Sequence, residues 1–285
     1  MRQLMPNYQG HQFAPYFLWP FITELKPMSA ISRRCCVLLV GLPLVATAHA
    51  ENEYILSLGG GIAPRYQGSN QYRDAVVPSF STVFSNGIFI GTKYGAGYRY
   101  TSPSGAAFSS VAIAYSSGRK DSNNFMEQGS DYLKGMGNVP GAVIAQLRAG
   151  VRDNEGLKLS ATIDAPITQI SRGFSGRIDL AVPIFHAKNN DIVMTGSVHA
   201  ATSRYVQTFY GVTDAQLAST RFRPYSLTGG VHSASLSAVL THAVSRHWSI
   251  LVAAGISRLL GRYGDSPIVQ TRSNYYGGTG VSYRF

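Results

Sequence analysis

Residues Gly156–Thr168 read GLKLSATIDAPIT. Leu157, Leu159, Ala161, Ile163, Ala165 and Ile167 share one parity, and Lys158, Ser160, Thr162, Asp164, Pro166 and Thr168 the other. A period of two puts these sets on opposite faces of a β-strand. The run exceeds the roughly 5–6 residues of an ordinary soluble strand and reaches the roughly 9–11 that a tilted strand needs to cross a bilayer. One apolar face and one face of Ser, Thr and charge describe a transmembrane barrel strand, apolar toward lipid and polar toward the lumen.

The pattern extends in both directions. In Gly141–Arg152, Val143, Ala145, Leu147, Ala149 and Val151 alternate with Ile144, Gln146, Arg148, Gly150 and Arg152. In Gly173–Phe185, Gly176, Ile178, Leu180 and Val182 alternate with Ser175, Arg177, Asp179 and Ala181. His232–Val244 and Trp248–Ile256 repeat it, and nothing after residue 51 shows a helical period. Eleven candidate strands result, at 54–62, 76–84, 87–101, 106–117, 141–153, 155–169, 173–186, 191–206, 229–244, 247–261 and 273–285. A sheet in lipid must close on itself, and single-chain bacterial barrels have even strand numbers. The expected fold is therefore an all-β, transmembrane antiparallel β-barrel over residues 51–285, with 10 or 12 strands and the miscount near 54–101. The competing reading is a secreted soluble sandwich, with the apolar face as its core.

Composition agrees with a membrane chain. Charged residues are 14% of the 285, below the roughly 25% of soluble domains, with 25 Lys+Arg against 14 Asp+Glu, net +11. The basic residues are dispersed, so nucleic-acid binding is not expected. The two cysteines are the adjacent Cys35 and Cys36, which excludes a disulfide framework. Arg33 and Arg34 precede the apolar run Cys35–Ala48, too short to span a membrane, and Ala48-His49-Ala50 follows it before Glu51. Residues 28–50 thus read as a signal peptide, cut between Ala50 and Glu51. Residues 1–27 read as a misassigned extension upstream of Met28, or a short disordered leader.

At the C-terminus Tyr275, Gly277, Thr279, Val281, Tyr283 and Phe285 alternate with Tyr276, Gly278, Gly280, Ser282 and Arg284. A last strand ending in Phe285, with Tyr283 two before it, resembles the signal read by the outer-membrane barrel assembly machinery. Aromatic residues at a strand end also suit the interfacial girdle.

Several ordered motifs resemble the MipA/OmpV family, the MltA-interacting proteins of Gram-negative outer membranes. They are Gly59-Gly60-Gly61-Ile62-Ala63-Pro64 leading into Tyr66-Gln67-Gly68-Ser69, then Pro78, then Gly95-Ala96-Gly97-Tyr98-Arg99. Phe209-Tyr210-Gly211-Val212-Thr213, Ser245-Arg246-His247-Trp248, Ser257-Arg258-Leu259-Leu260-Gly261, Asp265-Ser266-Pro267-Ile268-Val269 and Gly280-Val281-Ser282-Tyr283-Arg284-Phe285 follow in order. The resemblance implies an outer-membrane barrel that scaffolds a lytic transglycosylase and a peptidoglycan synthase. It carries over no catalytic residue.

The sequence holds no P-loop, no H-E-x-x-H and no G-x-S-x-G. His186, His199, His232, His242 and His247 fall on different segments, so no metal site, cofactor or enzymatic activity is expected. Arg148, Arg152, Lys158, Asp164, Arg177 and Asp179 lie on the inward parity of three consecutive strands. Opposed charges there would pair across strands. They would serve either as a salt-bridged plug or as a lining for a small anionic solute. Two functions remain open: a cell-wall scaffold, or a narrow outer-membrane pore for small solutes. The basic excess also suits lipopolysaccharide among the outer-membrane lipids. Intact mass of protein extracted from outer membranes should place the mature N-terminus at Glu51; a chain retaining Cys35 and Cys36 would overturn the processing scheme.

Overall fold

The computed structural model describes residues 52–285 except Met126. Residues 1–50 and Glu51, which carry the expected signal peptide and the cleavage residues Ala48 and Ala50, lie outside the described residues. Twelve strands form one antiparallel sheet: β1 (Glu53–Pro64), β2 (Tyr72–Val83), β3 (Ile88–Gly91), β4 (Gly95–Thr101), β5 (Ala107–Ser116), β6 (Ala142–Arg152), β7 (Lys158–Pro166), β8 (Ser175–Ala187), β9 (Asn190–Ala201), β10 (Gly230–Ala243), β11 (Trp248–Leu259) and β12 (Ser273–Arg284). Each pairs with its chain neighbours, and β1 pairs with β12 to close the barrel. Among the described residues one α-helix, α1 (Ser203–Tyr210), lies in the β9–β10 connection.

The faces decide between membrane barrel and soluble sandwich. Leu147, Ile163, Ile178 and Leu180 are 54%, 53%, 56% and 44% exposed, whereas the intervening Ser160, Thr162 and Asp179 are 2%, 1% and 4% exposed. The apolar side chains are outside and the polar ones inside, the reverse of a soluble core. Such an exterior is stable only in hydrocarbon, and a closed sheet satisfies every ladder hydrogen bond without water. The protein is a barrel of the Gram-negative outer membrane. Among the described residues no helix is long and apolar enough to cross a membrane; the strands do the crossing.

The twelfth strand comes from the segment 87–101, read above as one strand. It is a hairpin, β3 and β4, joined by Thr92-Lys93-Tyr94. Ile90 pairs with Ala96 and Ile88 with Tyr98. Because the paired residues share parity, the outward series Ile88, Ile90, Ala96, Tyr98, Tyr100 runs through the turn unbroken, and alternation alone cannot reveal it. Gly95, at φ +72°, makes the turn; a Cβ there would sit 1.9 Å from the Ile113 carbonyl oxygen. With β3 and β4 separated, every tight turn except Thr92–Tyr94 and both described chain ends fall at one rim, the periplasmic one. The long connections 65–71, 117–141, 167–174, 202–229 and 260–272 fall at the other. The reading of 191–206 as one strand overran into α1, whose two turns are too short to show a period.

Closure rests on glycine. Gly59 and Gly61 of β1 face Gly280 and Gly278 of β12 in register, and a Cβ on Gly61 would meet the Gly277 carbonyl oxygen at 2.2 Å. At the periplasmic end the seam is pinned by Arg284 to Glu53 at 3.2 Å and by the Phe285 N–H donating to the Tyr54 carbonyl at 3.1 Å. Trp248, Tyr283 and Phe285 stack edge-to-face at 4.9 and 4.8 Å, a local aromatic girdle.

Leu159 and Leu180 pair across β7 and β8 on the lipid face. Leu180→Arg should destabilise the barrel by about 2–4 kcal/mol at the bilayer midplane. Ala181→Glu, inward and opposite Lys158, should cost less. Urea titrations of protein folded into vesicles would show it; equal losses would contradict these faces.

Candidate functional site

The long connections do not splay outward. They fold over the barrel as a roof with its own apolar core: Tyr66, Leu133, Met136, Val212, Phe222 and Ile268, drawn from four different connections. A second cluster, Val206 and Tyr210 of α1 with Leu227 and Leu259, continues it. Leu133 and Val206 are fully buried. Polar contacts tie the same segments. The Tyr66 hydroxyl donates to the Ile268 carbonyl at 2.7 Å. Gly68 N–H donates to Asn274 Oδ1 at 2.7 Å, and Asn274 Nδ2 returns a bond to the Ser69 carbonyl at 2.6 Å. The Tyr210 hydroxyl donates to Gln67 Oε1, and the Ser266 hydroxyl to the Tyr210 carbonyl. Burial raises the Tyr66 phenol above its ordinary pKa, so it stays a donor at neutral pH. The Arg119 guanidinium donates to the Phe209 carbonyl; burial lowers its pKa to about 10, which leaves it charged at neutral pH.

Below the roof the lumen is a cavity of about 750 Å³. It runs from Tyr66, Arg119 and His232 beneath the roof to Glu53, Arg152, Glu155 and Ser282 at the periplasmic rim. Its charged wall is β6–β8. The turn Asp153–Gly156 sets the register there: Asp153 Oδ1 accepts from the N–H groups of Glu155 and Leu157, each at 2.9 Å, and Gly156 takes φ +91°. Arg152 and Lys158 therefore pair, as do Gln146 and Asp164.

The six charges expected to form a cross-strand network are all inward, but their pairing differs from that expectation. The ion pair is within β8: Arg177 Nε lies 3.0 Å from Asp179 Oδ2, and Ser197 Oγ of β9 donates to Asp179 Oδ1 at 2.7 Å. Asp164 accepts from Gln146 Nε2 at 2.9 Å. Arg148 donates to Ser160 Oγ at 3.2 Å and lies over the rings of Tyr94 and Phe108 at 5.4 and 5.7 Å. Lys158 sits 4.5 Å from the Phe108 ring centroid, and Arg152 is at the periplasmic mouth. Residues two apart share a strand face, so Arg177 and Asp179 meet without any neighbouring strand; Arg148 of β6 and Lys158 of β7 lie over aromatic rings instead.

Sequence reasoning missed two groups. One is the roof. The other is His199 with His232, whose rings lie 6.2 Å apart, His232 packing beside Tyr205, Tyr210 and Tyr263. Their segments carry no shared motif; β9 and β10 simply pair. Among the described residues no group of three or more His, Cys, Asp or Glu could hold a metal.

Residues 56–285 match the family described as MltA-interacting protein MipA. The chain belongs to this family. Among solved structures it is similar to the NanC porin, at 12% identity over 80% of this chain and 98% of that one, TM-score 0.43. It is similar to the translocator domain of autotransporter NalP from Neisseria meningitidis, at 13% identity over 84% of this chain and 90% of that one, TM-score 0.39. An outer membrane channel from Pseudomonas putida F1 gives 10% identity over 85% and 98%, TM-score 0.39. A search of curated proteins finds no match. Three of the motifs that resemble the MipA/OmpV family meet in the roof: Tyr66, Val212 and Ile268 share its core, and the segments at 66–69, 209–213 and 265–269 are joined by the hydrogen bonds above. Leu133→Ala should lose about 2–5 kcal/mol of local stability. Trypsin should then cut faster at the exposed Arg221 while the strands stay folded; unchanged cleavage would show that this core does not hold the roof.

Proposed function

We propose that this barrel is a non-enzymatic outer-membrane scaffold that engages a lytic transglycosylase, and with it a peptidoglycan synthase, in cell-wall assembly. The family match over residues 56–285 carries the reading. The shape supports it: the face toward the medium is closed by packed loops, and the rim toward peptidoglycan is open and presents Arg152, Glu155, His186, Asp191 and Arg246. Crosslinking intact envelopes with this protein as bait should recover a lytic transglycosylase. Its absence under conditions that capture the assembly machinery would overturn the scaffold role. A narrow pore is the second reading, favoured by the length of the lumen and its inward Arg148, Lys158 and Arg177. Single-channel current from pure protein would support it.

We further propose that Tyr283 and Phe285 are read by the assembly machinery before they anchor the closing strand. Deleting Phe285 should lower the amount of heat-modifiable barrel in the membrane and leave unfolded chain in the periplasm. Wild-type assembly of the deletion would remove that role.

A further inference from the structure

Between β2 and β5 the wall stands only half as high as elsewhere. β3 has four residues and pairs with Ser81, Thr82 and Val83 alone. β4 pairs with β5 no higher than Ala96 opposite Ile113. Above the Thr92–Tyr94 turn the outer part of β2 and the last residues of β5 have no strand between them. Among the described residues no strand pairing crosses that space.

The open side of β2 is identifiable. The Phe80 carbonyl accepts from the Thr92 N–H at 3.0 Å, and the Phe84 N–H donates to the Ile88 carbonyl at 2.8 Å. Even-numbered positions of β2 therefore turn their backbone groups toward β3, and above it Pro78 and Val76 turn theirs toward the opening. The opening is bounded on its outer side by the 117–141 connection: Asn123, Asn124 and Phe125 lie beside Asp74, and Arg73 donates to the Phe125 carbonyl at 2.6 Å. Proline occurs in sheets at such edges, where no N–H is needed. Backbone left unpaired at membrane depth is tolerated where it is buried in protein or lines a water-filled cavity. The lumen reaches this edge: Pro78 and Phe80 line the same cavity as Lys93, Tyr94 and Arg148.

Two kinds of occupant could meet an open edge. A partner's strand would need the N–H that Pro78 lacks and would face the Asp74 carboxylate; proline and charge are features that block strand addition. A lipid-like occupant fits both sides of the opening. On the membrane side Val76 and Phe80 are 59% and 47% exposed. On the lumen side Lys93 lies on the turn itself, 4.9 Å from the Tyr94 ring, with Arg148 over the same ring. An apolar sill followed by cations matches an acyl chain that carries a negative head.

We propose that the low wall between β2 and β5 is a side window through which a single-chain anionic amphiphile of the outer leaflet passes between the membrane and the lumen. Proteoliposomes of the mature protein, loaded with diazirine-bearing palmitate or diazirine-bearing lysophosphatidylglycerol, would be irradiated and the labelled peptides mapped. The two probes distinguish a carboxylate from a phosphate source. With at least one of them, label is expected on the lumen residues Tyr94 and Phe108 as well as on the lipid face. Inserting Val-Thr on each side of Lys93 raises the hairpin and should reduce lumen labelling at least fivefold, with lipid-face labelling unchanged. The variant Lys93→Gln, Arg148→Gln should lose lumen labelling by the anionic probes but keep that by an uncharged diazirine palmityl alcohol. This second comparison stands even if the raised hairpin fails to fold. Three results would overturn the window: lumen residues unlabelled by both anionic probes, lumen labelling undiminished in a folded raised hairpin, or a partner protein crosslinked along Val76 in native membranes.

Discussion

Everything in this protein depends on one constraint: in hydrocarbon, each backbone N–H and C=O must find a partner within the sheet. The chain meets it by pairing its first strand with its last, and glycine is what lets those strands approach. Gly61 tolerates no Cβ against Gly277. Once the ladder closes, side chains have two destinations only, lipid or lumen, and parity sorts them. The same constraint makes the low wall beside β2 unusual, because there the ladder stops while the membrane continues.

The two rims obey different physics. At the periplasmic rim short turns reverse the chain, and local hydrogen bonds such as those of Asp153 fix them. At the outer rim long connections meet water and gain stability by burying apolar residues against one another. The roof is thus a small water-facing domain assembled from pieces that lie far apart in sequence, mounted on a frame whose apolar groups face the opposite way. The lumen lies between the two and inherits its closed top from the roof.

Parity made the strands and their faces legible in the sequence. Leu159 outward and Lys158 inward follow from a period of two and nothing else. Three features were not legible, each for its own reason. The turn at Thr92–Tyr94 preserves parity, so it leaves no trace in the alternation. The roof depends on contacts such as Tyr66 to Ile268, 202 residues apart, which no local pattern encodes. The partners of the inward charges depend on which rotamers reach which neighbours: Arg177 found Asp179 on its own strand, while Arg148 found rings.

The position of the glycine seam has a consequence for the space inside. In the circular order of strands, β1 and β12 stand diametrically across from β6 and β7. In its middle the seam wall carries Ser57, Gly59, Gly61, Gly278 and Gly280 and no charge; β6–β8 opposite carry Arg148, Arg152, Lys158, Asp164, Arg177 and Asp179. The four basic residues on β6–β8 outnumber their two aspartates, so the positive excess of that wall lies to one side of the barrel axis. A negatively charged guest would be drawn to that side and would travel as along a gutter, with the small uncharged residues of the mid-seam at its back.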